Sequence, residues 1–395
     1  MGLLHLLARK SMLHDQVEAD QRESRRNRAR DAARMLGTVA VERQLMDEIG
    51  PSMRDGVIGQ LIEQIHAFTR GMKTRGLRKG LVGQHQAAPG TFDDGWFHGH
   101  SASFNHYGCR AQKGRSGMKK SAYTLAGTTS KDGTVIGYRK SGRGPGLVVI
   151  HGAFVSGHEY ERLAQALEDT FTVYVVDRRG RLYSGPQGEQ YSMQKECEDA
   201  QAVLEATGAS FLFGHSYGGL IALELARSAS TSVAKLAVYE PAVSIGGQFP
   251  SAWMPAYKRL IEQGRDLDAF VAFIKGVGTA ERLAKLPRRL LKLMLLPSQL
   301  FREGRKLRDK LPTLIMEMEE VFRHDSTVQG YSAITVETLV MAGSKSKDFM
   351  LNAARAVAAA IPDSTLELMD GLGHNAPDLF NQKEIAERLK QYFAG

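Results

Sequence analysis

Two short motifs carry the most readable chemistry. Gly214-His215-Ser216-Tyr217-Gly218 sets a serine between glycines, after the apolar run Phe211 to Phe213 and before a helical pattern from Gly218 to Ser228. In that context G-x-S-x-G marks a sharp strand-to-helix turn that lifts a serine hydroxyl above the edge of a sheet. The Tyr217 N–H and the helix N-terminus then face negative charge that develops beside Ser216. Upstream, His151-Gly152-Ala153-Phe154 follows the apolar run Leu147 to Ile150. Gly152 lets the chain turn away from the strand end and points the Ala153 N–H to the same place, a second donor for an acyl oxygen acquiring charge. Ser216 is thus the candidate nucleophile, and Ala153 and Tyr217 are the candidate oxyanion donors. His151 and His215 read as structural, one fixing its loop and the other packing beneath the turn.

A sheet must hold these motifs. Two alternating runs around Lys131-Asp132-Gly133 predict a β-hairpin. Strand and helix patterns then alternate: Leu147 to Ile150, a helix over 158–167, Phe171 to Val176, a helix over 192–207, Phe211 to Phe213, a helix over 218–228, and Val233 to Tyr239. Nearly continuous apolar strands between helices predict a mostly parallel sheet covered on both faces. About ninety residues of mainly helical pattern follow, from Pro241 to Gly330, and read as an insertion. Glu337 to Met341, a helix to Ala360, Thr365 to Met369 and a helix from Gln382 to Phe393 close the chain.

The 395 residues, 43% of them hydrophobic, suffice for a large core and exclude wholesale disorder or a fibrous rod. No apolar run approaches the ~18 residues a membrane span needs, so stable membrane insertion is not expected. Two cysteines, Cys109 and Cys197, make neither a disulfide framework nor a four-cysteine metal site, which fits a reducing, cytoplasmic setting. Of the net charge of +9, +6 lies in residues 1–117. That front end, with a charged stretch over 21–34, an amphipathic pattern over 57–68 and a Gly- and His-rich tract over 71–117, predicts a basic, flexible or loosely helical extension that supplies no catalytic group. Its cations are not interleaved with aromatics, so nucleic-acid binding is not expected. A fresh start at Met118-Lys119-Lys120 places the boundary there, with the main domain over 118–395.

From about Ser121 to Gly395 the chain resembles the α/β-hydrolase superfamily, of the kind with a helical lid. The resemblance rests on HGAF, Asp177-Arg178-Arg179-Gly180, GHSYGG, Tyr239-Glu240-Pro241, the Gly343 turn and GLGH around His374. Leu182 stands where the family's D-x-R-G-x-G-x-S has its second glycine, so that turn is expected to differ. The family order of serine, acid, histidine implies a base downstream of Ser216, where only His324 and His374 lie. His374 follows the strand Thr365 to Met369 by a glycine-containing loop, the family's place for the base.

The acid departs from the pattern. Where the family writes G-x-x-D after the strand Glu337 to Met341, this chain has Gly343-Ser344-Lys345-Ser346. Two carboxylates are candidates: Glu240, ending the strand before the insertion, and Asp348, two residues past the usual position. Glu240 is preferred, because a strand end one place over in the sheet projects rigidly toward the same histidine, as in superfamily members with a displaced acid.

The insertion, about 242–330, is expected to lie over the site as a lid. Leu286, Leu290, Leu293 and Met294 share one helical face beside Lys285, Arg288, Arg289 and Lys292, and Arg302, Arg305, Lys306, Arg308 and Lys310 continue a basic run read as solvated. The resemblance implies a serine hydrolase that cleaves an ester-like bond in a small, rather apolar substrate through an acyl-enzyme, with no metal or organic cofactor. Alternatives are the same triad acting on a thioester, lactone or carbon–carbon bond or in perhydrolysis, and a ligand-binding member with vestigial catalysis. The oligomeric state is open.

Overall fold

The computed structural model describes residues 123–228, 232–278, 281–295 and 309–395. The expectations for residues 1–117, including Cys109, lie outside this range, as do Arg302, Arg305, Lys306 and Arg308.

The apolar runs become eight strands: β1 (Thr124–Thr129), β2 (Val135–Gly142), β3 (Gly146–Ile150), β4 (Thr172–Val176), β5 (Phe211–His215), β6 (Lys235–Tyr239), β7 (Glu337–Gly343) and β8 (Ser364–Met369). They form one sheet in the order β1-β2-β4-β3-β5-β6-β7-β8. β1 and β2 make the expected hairpin, β2 runs antiparallel to β4, and the remaining pairs are parallel. The Lys131-Asp132-Gly133 turn has the form its residues favour. Gly133 takes a φ of 85°, and the Asp132 carboxylate accepts the Thr134 N–H at 3.0 Å.

Both faces of the central strands are buried, which is why their sequences do not alternate. Val148, Leu212, Val238 and Val340 point to one side, and Val149, Phe213, Ala237 and Leu339 to the other. The second side is covered by α1 (Glu161–Leu167) and α10 (Gln382–Ala394), through Leu163, Leu167, Ile385 and Leu389. The first is covered by α2 (Met193–Thr207), α3 (Tyr217–Arg227) and α9 (Asp348–Ala360). Ser192 caps α2 by accepting the Lys195 N–H, and Gly208 ends it in the left-handed conformation.

Between β6 and β7 the inserted helices are α4 (Met254–Glu262), α5 (Asp266–Val277), α6 (Glu281–Lys285), α7 (Arg288–Leu295) and α8 (Thr313–Arg323). Two details of the sequence reading are corrected here. The single apolar face through Leu286, Leu290, Leu293 and Met294 does not exist: the helix breaks at Leu286-Pro287, since proline lacks the N–H a continuing helix needs. Leu286 and Leu291 are the buried residues, while Leu290, Leu293 and Met294 are only partly covered. Lys310 is not a solvated member of a basic run. It is buried, with its ammonium 2.8 Å from Glu159 beside the 3-10 turn Gly157–Tyr160, because a lysine taken out of water requires a carboxylate partner.

Leu182 takes a φ of 29° where a glycine was expected, and its side chain is exposed. The four charged residues before it, Asp177, Arg178, Arg179 and Arg181, are almost wholly buried, and each is paired. Asp177 binds Arg139 at 2.8 Å, Arg178 binds Glu196 at 2.6 Å and Glu317 at 2.9 Å, and Arg179 binds Asp199 through two bonds of 2.7 Å. Glu317, on α8, also accepts from Arg181 at 2.7 Å, so two arginines of the β4 loop hold the insertion to the sheet. Among the described residues no helix is long and apolar enough to cross a membrane.

Candidate active site

The carboxyl ends of β5, β6 and β7 and the loop after β8 meet at one point. Ser216 sits between β5 and α3 with φ 55° and ψ −120°, a strained conformation for a residue with a Cβ. The turn is held from three sides: the Ser216 N–H donates to the Tyr239 carbonyl at 3.0 Å, and the Ser216 carbonyl accepts the N–H groups of Gly219, Leu220 and Ala242. Gly218 is required because a Cβ there would lie 2.2 Å from the Ile150 carbonyl. The Tyr217 N–H opens α3 and so has no acceptor within the helix, and Ala153 lines the cavity beside Ser216.

His374, on the loop after β8, places Nε2 3.2 Å from Ser216 Oγ. Its Nδ1 lies 2.7 Å from Glu240 Oε2. Glu240 ends β6, is 1% exposed, and takes a φ of 43° that turns its carboxylate across to the next strand end, where the Gly343 N–H donates to Oε1 at 2.7 Å. With Nδ1–H given to Glu240, Nε2 is left as the acceptor for the serine proton, the tautomer a general base needs. Gly343 leaves no room for a side chain, since a Cβ would lie 2.4 Å from the Leu372 carbonyl.

The other candidates stand apart. Asp348 is exposed at the first turn of α9 and is not in contact with His374. The Ser346 hydroxyl, where the family's acid was expected, is buried without a hydrogen-bond partner among the described residues. His324 ends α8, with Nδ1 2.9 Å from the Glu320 carbonyl, away from Ser216.

His151 and His215 are buried and serve the loops. His151 Nδ1–H donates to the Gly152 carbonyl at 2.8 Å while Nε2 accepts the Arg178 N–H; burial and the nearby arginines push its pKa well below the usual histidine range. His215 Nε2–H donates to the His374 carbonyl at 2.9 Å, and Nδ1 accepts from Tyr160. No motif in the sequence marks Tyr160. Its hydroxyl also accepts the Gly152 N–H at 3.2 Å, so one buried side chain ties the Ala153 loop to the residue before the serine and, through it, to the His374 loop. No periodicity reveals a contact between residues 55 positions apart.

A cavity of about 120 Å³ opens beside Ser216. Its apolar wall is Phe154, Val243, Phe249, Phe273, Val277, Met318, Phe349 and Met350, with Phe273 and Val277 from α5 and Met318 from α8. Phe154 stacks on Phe270 and Phe273, with ring centroids 5.1 Å apart in both pairs. Among the described residues, no cluster of histidine, cysteine and carboxylate side chains is arranged to hold a metal ion. A serine whose proton has a positioned acceptor, beside an apolar cavity, is an arrangement able to perform nucleophilic acyl transfer.

Residues 147–388 match the model of the alpha/beta hydrolase family. The chain belongs to that family. Pimeloyl-[acyl-carrier protein] methyl ester esterase of Stenotrophomonas maltophilia is 30% identical over 265 residues, covering 65% of this chain and 95% of that protein. The enzyme of the same name from Vibrio cholerae is 40% identical over 100 residues, 25% of this chain, so this chain spans only 38% of that relative's length. Among solved structures, an alpha/beta hydrolase from Sphaerobacter thermophilus superposes with a TM-score of 0.56 at 28% identity, covering 68% of this chain and all of that one. An esterase from Exiguobacterium antarcticum shares the fold at 22% identity, with a TM-score of 0.53 over 68% of this chain and 99% of its own. The protein is accordingly a hydrolase.

Proposed function

We propose that the protein is a serine esterase that cleaves carboxylic esters with a short, apolar acyl group through an acyl-enzyme. The observation that carries this reading is the unbroken chain from Glu240 through His374 to Ser216 beside a small apolar cavity. Ser216 Oγ attacks the ester carbonyl as its proton passes to His374 Nε2, and the Glu240 carboxylate stabilises the imidazolium. The oxygen of the tetrahedral intermediate is held by the Ala153 and Tyr217 N–H groups. As the C–O bond to the alcohol breaks, His374 returns the proton to the leaving oxygen; water then enters, is deprotonated by the same nitrogen, and releases the acid. No metal or organic cofactor takes part in this scheme.

The cavity is smaller than the ~150 Å³ space that holds benzene in a protein core, which favours acyl chains of few carbons. The methyl ester esterases among the relatives support the bond class, and the contact chain from Glu240 through His374 to Ser216 disfavours a purely ligand-binding member. A fluorophosphonate probe is expected to label Ser216, and p-nitrophenyl acetate or butyrate to be cleaved with higher kcat/KM than the octanoate. Labelling of another residue, or a Ser216→Ala variant that keeps most of its kcat, would refute the scheme.

A further inference from the structure

Asp378 has no role in the scheme above, yet it lines the same cavity. It lies four residues beyond His374, in the single π-helical turn Ala376–Phe380, and is 8% exposed. Its Oδ1 is buried without a hydrogen-bond partner among the described residues. A buried carboxylate oxygen without a donor is costly, and one that lines the cavity beside Ser216 is placed to accept from a bound molecule. Burial pushes its pKa up to about 6, while the charge of His374 and the Asn375 side chain act in the opposite direction.

The side of the cavity on which Asp378 lies identifies the part of the substrate it meets. The leaving oxygen takes its proton from His374 Nε2, so the alcohol half of a bound ester lies on the His374 side of Ser216, where Asn375 and Asp378 stand. Phe249, Phe273 and Met318 line the same cavity and offer an apolar wall to the acyl half. We propose that Asp378 is a specificity-determining residue that accepts a hydrogen bond from the alcohol half of the ester, and that the preferred substrates are short acyl esters of a diol or polyol with a free hydroxyl near the scissile bond. This inference rests on the serine esterase reading and adds the chemistry of the leaving group to it.

Two esters of similar size test it: 2-hydroxyethyl butyrate, which carries the donor, and propyl butyrate, which lacks it. A hydrogen bond to a charged acceptor corresponds to roughly tenfold to a hundredfold in kcat/KM. The wild-type enzyme is expected to favour the hydroxyethyl ester by about that factor, and Asp378→Leu to bring the ratio near one. Asp378→Asn keeps the size and an acceptor but not the charge, and is expected to fall between; it carries the test if the leucine variant does not fold. An enzyme that cleaves both esters equally, or variants that leave the wild-type ratio unchanged, would overturn the inference while the esterase reading stands. Cleavage of neither ester, with no fluorophosphonate labelling of Ser216, would overturn both.

Discussion

Asp378→Asn is expected to stabilise the fold, and to do so more as pH rises. The carboxyl has its pKa pushed up to about 6, chiefly because burial disfavours the charged form. The folded chain therefore holds this proton more tightly than the unfolded chain does. Stability linked to the group is fully present below the ordinary carboxylate value near 3.8 and is lost as pH rises through about 6. At about 1.4 kcal/mol for each pH unit between the two values, ionising Asp378 costs the fold ~3 kcal/mol at pH 8 and about half of that at pH 5. Asparagine does not titrate, so the gain on substitution is expected to be larger at pH 8 than at pH 5, by on the order of 1 kcal/mol. The fixed cost of burying an amide cancels in that difference. Urea denaturation of both proteins, followed by tryptophan fluorescence at pH 5, 6, 7 and 8, measures it. A pH-independent effect, or a gain that shrinks as pH rises, would show that the carboxylate has donors enough and refute the reasoning. A more stable variant with a lost substrate preference would identify Asp378 as a residue retained for function at a cost to the fold.

Glu240→Gln is expected to lower kcat by several orders of magnitude, as ~10⁴ is lost in a serine protease whose acid is replaced, whereas Asp348→Asn stays within about tenfold of wild type; steady-state kinetics of both would reveal the opposite ranking if the acid lies on the usual strand. Tyr160→Phe leaves the Gly152 N–H and His215 Nδ1 without their partner, and is expected to destabilise the protein by about 1–3 kcal/mol and to lower kcat more than it raises KM; unchanged kcat and denaturation midpoint would remove Tyr160 from the loop scaffold. Glu317→Leu leaves Arg178 and Arg181 without their shared carboxylate and is expected to cost about 3–5 kcal/mol by denaturation, a prediction that a wild-type midpoint would refute.

The sheet was legible because burial on both faces leaves a signature that does not depend on tertiary detail. Val148, Leu212, Val238 and Val340 sit in runs too apolar to be loops and too short to be helices. That Ser216 and His374 meet was legible from their places at strand ends, and that Glu240 joins them, from the gap at Ser346 together with the stiffness of a strand terminus. The insertion was read less well. Its helices pack by contacts among themselves, so the break at Pro287 moved the buried face from Leu290 to Leu291, and a basic residue, Lys310, was taken inside by Glu159. Tyr160 and Asp378 were missed for a different reason. A tyrosine inside an ordinary helical pattern and an aspartate in an irregular turn acquire meaning only when distant loops meet them.

Ser216 and Glu240 each stand one residue beyond the paired rung of His215 and Tyr239, and both are non-glycine residues at positive φ. The Ser216 N–H is bonded to the carbonyl of Tyr239, the residue just before Glu240, and the Glu240 N–H to the carbonyl of Met341 on the next strand. Ser216 and Glu240 are therefore indexed to each other by backbone, and a shift of β6 against β5 displaces both at once. Such an enzyme loses activity molecule by molecule. Partial heat or denaturant loss is expected to leave a mixture of fully competent and dead protein with an unchanged KM, in place of a uniform population that has become slower.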